Sequence, residues 1–308
     1  MKLRAPTCVG AVAPDRLCWF ETRGARLRGY EWGDPKAQPV LAAHGFFDHG
    51  RGYDLLAPLL AEKYRVISFD ARGHGESSWT DTYAWNMDVQ DILCMLRELG
   101  PGTHLIGHSK GGGQVTEAAI LAGDAVDKLV SLDGFGPPDS KGFQHPGMPD
   151  LGDLTLPERC AAYLDKNRLS ERKLEWKPRP SLDDLVNRRG EQNPRLDKSW
   201  LRYFVFHGAR QAEDGWRWKG DPMMTGGRFD AFRPGSVAPA WVNLKATMLA
   251  VTGTVQDLWG PLPEEVLNDR LSYVPRVERV TIEGAGHFIH MEQPAATAEC
   301  ILDFFEAA

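Results

Sequence analysis

His104-Leu105-Ile106-Gly107-His108-Ser109-Lys110-Gly111-Gly112 is the stretch whose reading decides the fold. A short apolar run, a G-x-S-x-G pentapeptide and the glycine-rich start of a helical pattern follow one another without a spacer. A strand-turn-helix junction of this kind strains the serine and projects its hydroxyl, and only glycine at the flanking positions lets neighbouring backbone come so close. Ser109 is therefore a candidate nucleophile, and the chain around it is expected to alternate strand and helix.

That alternation extends in both directions. Continuous apolar runs recur at 39–43, 64–69, 129–132, 247–251 and 277–282, as in strands buried on both faces. Residues 54–62, 86–99, 111–121 and 293–305 carry apolar side chains at helical spacing, for example Val89, Ile92, Leu93 and Leu96. Two stretches flanking Gly24, within 17–33, suit an opening β-hairpin. The expected fold is α/β, with a doubly wound, mostly parallel sheet. The rhythm breaks after Asp133, at Gly134-Phe135-Gly136-Pro137-Pro138, and resumes near Ala246. Residues 1–133 and 242–308 are thus expected to form the core, with 134–241 as a mainly helical insertion. The insertion carries a net charge of +3 against −9 for the rest, a contrast that suits an anionic substrate group or ordinary surface drift.

Composition narrows the function. A chain of 308 residues, 42% hydrophobic, can bury a sizeable core. A net charge of −6 with no concentrated basic run argues against nucleic acid or an anionic membrane as partner, and no apolar run approaches a membrane span. Cys8, Cys18, Cys94, Cys160 and Cys300 are scattered and form no C-x-x-C pair, so neither a disulfide framework nor a zinc site is expected. With only a short apolar run at 9–13, a cytoplasmic protein is expected. No metal or cofactor motif is present, and the expected partner is a small-molecule substrate.

A serine hydroxyl is barely ionised at neutral pH, so Ser109 needs a histidine to take its proton and an acid to orient that histidine. His287, in Glu283-Gly284-Ala285-Gly286-His287, lies between the last predicted strand and the closing helix and is the candidate base. His290 is read as an exposed or packing residue, and His104 and His207 as structural ones. Two acids keep the order Ser, Asp, His: Asp257, beyond the run 247–251, and Asp133, at the end of the run 129–132. Asp257 is preferred and Asp133 is the alternative. Amide donors for a tetrahedral oxyanion are expected from Lys110 and from Phe46, within His44-Gly45-Phe46-Phe47.

These motifs together resemble the α/β-hydrolase superfamily over nearly the whole chain from Trp19 onward. His44-Gly45-Phe46-Phe47-Asp48-His49 resembles its oxyanion loop, 70–77 the loop after its fourth strand, and 284–287 its histidine loop. Residues 132–137 and 215–222 resemble the serine-hydrolase-like branch. The resemblance implies a cap for 134–241 and a cofactor-free serine hydrolase acting on an ester, thioester or lactone. Carbon-carbon bond hydrolysis, perhydrolysis and a non-catalytic binding role are the alternatives. Lys110 departs from the Met, Leu or Gln usual after the nucleophile, and Asp257 stands four positions after Gly253 rather than three. The pocket candidates are Phe47, His108, Phe135, Trp176, Trp200, Trp216, Trp218 and Trp259, since a pocket between sheet edge and cap takes apolar walls.

Overall fold

The computed structural model describes residues 4–136, 157–158, 161, 175–226 and 237–307. Strands β1 (Arg16–Thr22) and β2 (Ala25–Trp32) form the opening hairpin. They are followed by β3 (Pro39–Ala43), helix α1 (Ala57–Leu60), β4 (Arg65–Phe69), α2 (Trp85–Leu99), β5 (Thr103–His108), α3 (Lys110–Ala122) and β6 (Val126–Leu132). After β6 come α4 (Leu182–Gln192), α5 (Lys198–Gly208) and a separate hairpin, β7 (Ala209–Ala212) with β8 (Gly215–Trp218). The chain closes with β9 (Thr247–Gly253), α6 (Glu264–Leu271), β10 (Val277–Ile282), the short α7 (Ile289–Glu292) and α8 (Pro294–Glu306).

Eight strands form one sheet in the order β1-β2-β4-β3-β5-β6-β9-β10. The pairs β1·β2 and β2·β4 are antiparallel, and every other pair in that sheet is parallel. The expected doubly wound sheet is therefore present, with an antiparallel edge made by the hairpin. Alternate side chains of β3, Leu41 and Ala43 on one side, Val40 and Ala42 on the other, join two separate apolar layers. Helices α2, α3 and α6 cover the first layer and α1 and α8 the second. This two-sided burial explains why the central strands read as unbroken apolar runs.

Among the core helices, α1 and α6 depart from the sequence expectation. Residues 54–62 yield only the single turn of α1, preceded by a 3-10 turn at 50–53; Pro58 lacks an amide hydrogen and is tolerated in a first turn, not deep inside a helix. Helix α6 had no sequence expectation, since its apolar side is short: only Leu267 and Leu271 join Arg270 in being buried.

The elements after β6 build a third apolar cluster from Leu182, Leu185, Trp200, Leu201, Phe204 and Val205, which also takes in Phe288 and Met291 from the end of the core. Helix α4 starts in a capping box between Ser181 and Asp184, and α5 is capped by Asp197. No helix among the described residues is long and apolar enough to cross a membrane. Cys8, Cys18, Cys94 and Cys300 are free thiols; Cys160 lies outside the described residues.

Candidate active site

Ser109 sits between β5 and α3 with φ 52° and ψ −119°, a backbone conformation that costs a non-glycine residue energy and persists only where packing enforces it. The packing is backbone on backbone. A Cβ built on Gly107 would lie 2.5 Å from the Gly111 carbonyl oxygen, and one on Gly111 would lie 2.4 Å from the Ala43 and 2.7 Å from the His44 carbonyl oxygens. The glycines thus draw the first turn of α3 against the turn after β3. These are the two segments, around Lys110 and around Phe46, from which oxyanion donors are expected. The Ser109 amide itself donates to the Leu132 carbonyl, 3.0 Å away at the end of β6.

His287 lies in the loop after β10, its side chain buried. Its Nδ1 is 2.6 Å from Asp133 Oδ2. Asp133 follows β6, has φ 46° and donates its amide to the Val251 carbonyl, so both neighbouring strands fix the carboxylate. Burial disfavours the imidazolium, but the hydrogen bond and charge of Asp133, with the charges of Asp257 and Asp48, outweigh it and hold His287 above its ordinary value of 6.5.

The ring nitrogen of His287 meets Asp133, the alternative acid, and not Asp257, the preferred one. Asp257 Oδ2 accepts the backbone amide of His287 at 2.8 Å, while Oδ1 accepts those of Trp259 and Gly260 at 2.7 and 3.1 Å. It ties the loop after β9 to the histidine loop and leaves the ring nitrogen to Asp133. The physical reason is saturation: the Asp257 carboxylate is held by three backbone donors around its own turn and the histidine loop, whereas Asp133 projects directly from the end of β6.

His108, immediately before Ser109, packs its ring 4.8 Å from His287 and 4.6 Å from His290, and its Nε2 donates to the His287 carbonyl at 3.0 Å. His290 is buried and stacked 5.0 Å from Tyr53, which makes it a packing residue. No group of three or more His, Cys, Asp or Glu side chains among the described residues is arranged to hold a metal ion. His44 shapes the turn after β3: its Nε2 accepts from the Ala71 amide at 3.0 Å and its Nδ1 faces the Gly45 carbonyl at 2.7 Å, with burial lowering its pKa to about 4. Asp70, in the loop after β4, accepts from Gly50, Glu76 and Tyr30 and is a structural hub.

The Lys110 side chain is nearly buried, with Nζ 3.3 Å from Asp88 Oδ2 on α2. The cation after Ser109 therefore faces an acidic partner on α2.

The pocket candidates separate. Phe47 is half-buried, its ring 4.2 Å from that of Phe46. Trp259 is half-buried, stacked 6.5 Å from His287, and donates its Nε1 to the Gln192 carbonyl at the end of α4. Phe135 is corrected: it is 1% exposed and packs in the first apolar layer. Trp200 is likewise core, stacked on Tyr203 inside the third cluster. Trp216 and Trp218 lie on β8 and Trp176 on the segment before α4: the Trp176 indole binds the Gly220 carbonyl, Trp216 exchanges backbone hydrogen bonds with Arg179, and Trp218 packs on the third cluster. A large aromatic ring reads alike whether it fills a core or faces a ligand.

Two residues without an expected role stand at the site. Asp48 is buried under the turn after β3 and is joined by Arg189 of α4, whose Nη2 is 2.5 Å from Asp48 Oδ1. Asp48 was visible only as part of a motif, and nothing in the run Asn187-Arg188-Arg189 tells an inward arginine from a solvated one.

Residues 40–300 match the family model described as the alpha/beta hydrolase family. The chain is 24% identical over 292 residues to a serine hydrolase-like protein of Dictyostelium discoideum, covering 91% of this chain and 79% of that one. It is 26% identical over 282 residues to an esterase of Mycobacterium tuberculosis, covering 89% and 85%. Among solved structures, the thioesterase domain from the curacin biosynthetic pathway superposes with a TM-score of 0.79 at 21% identity, over 94% of this chain and 99% of that one.

Proposed function

From the premise that this chain belongs to the alpha/beta hydrolase family, we propose that it is a serine hydrolase cleaving a carboxylic ester, thioester or lactone through an acyl-enzyme. The observations that carry this reading are a serine held at φ 52° on the turn between β5 and α3, and His287, whose Nδ1 is 2.6 Å from a buried aspartate and whose ring lies 4.8 Å from that of His108, the residue before the serine. Relatives named serine hydrolase-like protein and esterase support it.

In this mechanism His287 Nε2 takes the Ser109 proton as Oγ attacks the acyl carbon. Asp133 holds Nδ1–H, which fixes the tautomer and stabilises the imidazolium that forms. The amides of Phe46 and Lys110 receive the oxyanion, each donor contributing about 3 to 4 kcal/mol to the transition state. His287 then passes its proton to the leaving oxygen or sulfur, and water repeats the sequence on the acyl-enzyme. Residues 134–241 act as a cap over this centre, and the half-buried rings of Phe46, Phe47 and Trp259 suit an apolar or aromatic substrate group.

The test needs no knowledge of the natural substrate. Intact mass after exposure to a fluorophosphonate is expected to show one adduct on the wild type and none on Ser109→Ala. An adduct that persists on Ser109→Ala, or folded wild type that takes none, defeats the proposal.

A further inference from the structure

Three segments meet at Asp48. One carboxylate oxygen receives Arg189 Nη2 from α4 at 2.5 Å. The other, Oδ2, faces His108 Nδ1 at 3.6 Å, and neither of these two buried atoms has a hydrogen-bond partner. Gly45 closes the gap from above: a Cβ on it would lie 2.8 Å from His108 Nδ1 and 2.9 Å from Asp48 Oδ2. The carboxylate therefore presses on the underside of the turn that carries Phe46, with the residue before Ser109 at its side.

Arg189 is 9% exposed, and its guanidinium lies 5.3 Å from the ring centroid of Phe204 on α5 and 5.8 Å from that of Phe288, the neighbour of His287. A second clamp runs beside it, His49 Nε2 to the Phe204 carbonyl at 2.9 Å with the two rings stacked 4.3 Å apart. The chain after β6 is thus keyed into the turn after β3 by an ion pair that would leave a buried, uncompensated carboxylate if α4 lifted away. Nothing in the serine-hydrolase mechanism requires a charge at this depth in that helix.

We propose that Arg189 is a positioning residue: through Asp48 it holds the turn of Gly45, Phe46 and Phe47 against His108, so that the oxyanion donors are aligned only when α4 is seated. The coupling to turnover rests on the serine-hydrolase reading, while the coupling of α4 to the turn stands without it. A small activated ester such as 4-nitrophenyl acetate reads out the donors, because it makes little use of an acyl pocket.

Arg189→Gln is expected to lower kcat on this ester by about 10- to 100-fold, the scale of a misplacement near 1 Å, with KM within about twofold. Amide hydrogen exchange of a peptide spanning residues 44–48 should quicken while β4 and β6 stay protected. Arg189→Lys, which restores the cation, should recover most of both. Arg189→Gln combined with Asp48→Asn removes the stranded charge, and it should recover thermal stability without recovering kcat. Recovery of kcat together with stability in the double variant would reduce Arg189 to charge compensation and overturn the proposal. So would a rise confined to KM, which makes Arg189 a substrate contact, or unchanged exchange at 44–48. If wild type does not turn over the ester, the hydrolase reading is what fails; exchange in Arg189→Gln then decides the α4 coupling, upheld by faster exchange at 44–48 and overturned by none.

Discussion

Two carboxylates attend His287, one at the ring and one at the backbone, and the difference predicts unequal losses. Under the proposed mechanism Asp133→Asn, which removes the partner of Nδ1, is expected to lower kcat by about 10⁴-fold, the loss typical of a triad aspartate. Asp257→Asn keeps a short polar acceptor near the loop amides and should cost activity far less; steady-state kinetics on one activated ester compares them. Equal losses would mean that loop placement matters as much as the ring hydrogen bond. The same geometry fixes a pH dependence. Because His287 is held above 6.5 and must be neutral to act as base, kcat/KM should fall as pH drops through a value above 6.5. In Asp133→Asn that acid limb should move to lower pH, because the charge favouring the imidazolium has gone. Sequence order admitted both acids, since each ends or follows a strand at the same sheet edge. Choosing between them took the positions of two strand ends.

Elements carry the next level of prediction. The first turn of α3 touches the turn after β3 with no space between, and a methyl at Gly111 would meet two backbone carbonyl oxygens that cannot rotate away. Gly111→Ala is therefore expected to lower stability by about 1 to 3 kcal/mol, the usual range for overpacking, and kcat with it; urea unfolding and ester kinetics on one preparation check this. The tryptophans divide by element as well. Trp200→Ala empties the middle of the cluster under α4 and α5 and should cost about 3 to 5 kcal/mol. Trp259→Ala takes away a half-buried ring stacked near His287, so it should change the preference between bulky and small esters more than it changes the melting temperature. The strands and main helices of the core were legible because unbroken apolar runs and helical spacing follow directly from two-sided burial. The segment after β6 was not, since its few helices borrow Phe288 and Met291 from the core to complete their cluster.

For the molecule as a whole, the buried histidines set the response to acid. Burial lowers His44 and His104 to about 4 and His207 to about 3, and it depresses His49, His108 and His290 as well. Each binds a proton more weakly in the fold than in the unfolded chain. Between about pH 6.5 and the folded values the unfolded chain therefore holds more protons, and stability falls as pH falls. Asp54, raised to about 6, Asp70 and Asp91, also raised, and His287, held above 6.5, act in the opposite sense, but the six depressed histidines outnumber them. The melting temperature is expected to drop steadily from about pH 7 to about pH 4.5. A flat profile there would mean that these imidazoles are solvated in the fold.

By itself the sequence determined the doubly wound sheet, the strained serine between β5 and α3 and the histidine after β10. Each rests on local rules, namely apolar periodicity, glycine where backbone must touch backbone, and a loop at a strand's carboxyl end. Tertiary structure alone decided that Asp133 rather than Asp257 meets the imidazole, that Phe135 and Trp200 are core, and that Arg189 reaches across 141 residues of chain to Asp48. Those are contacts between segments far apart in sequence, where a carboxylate, a guanidinium or an indole gains its meaning from what the fold brings beside it.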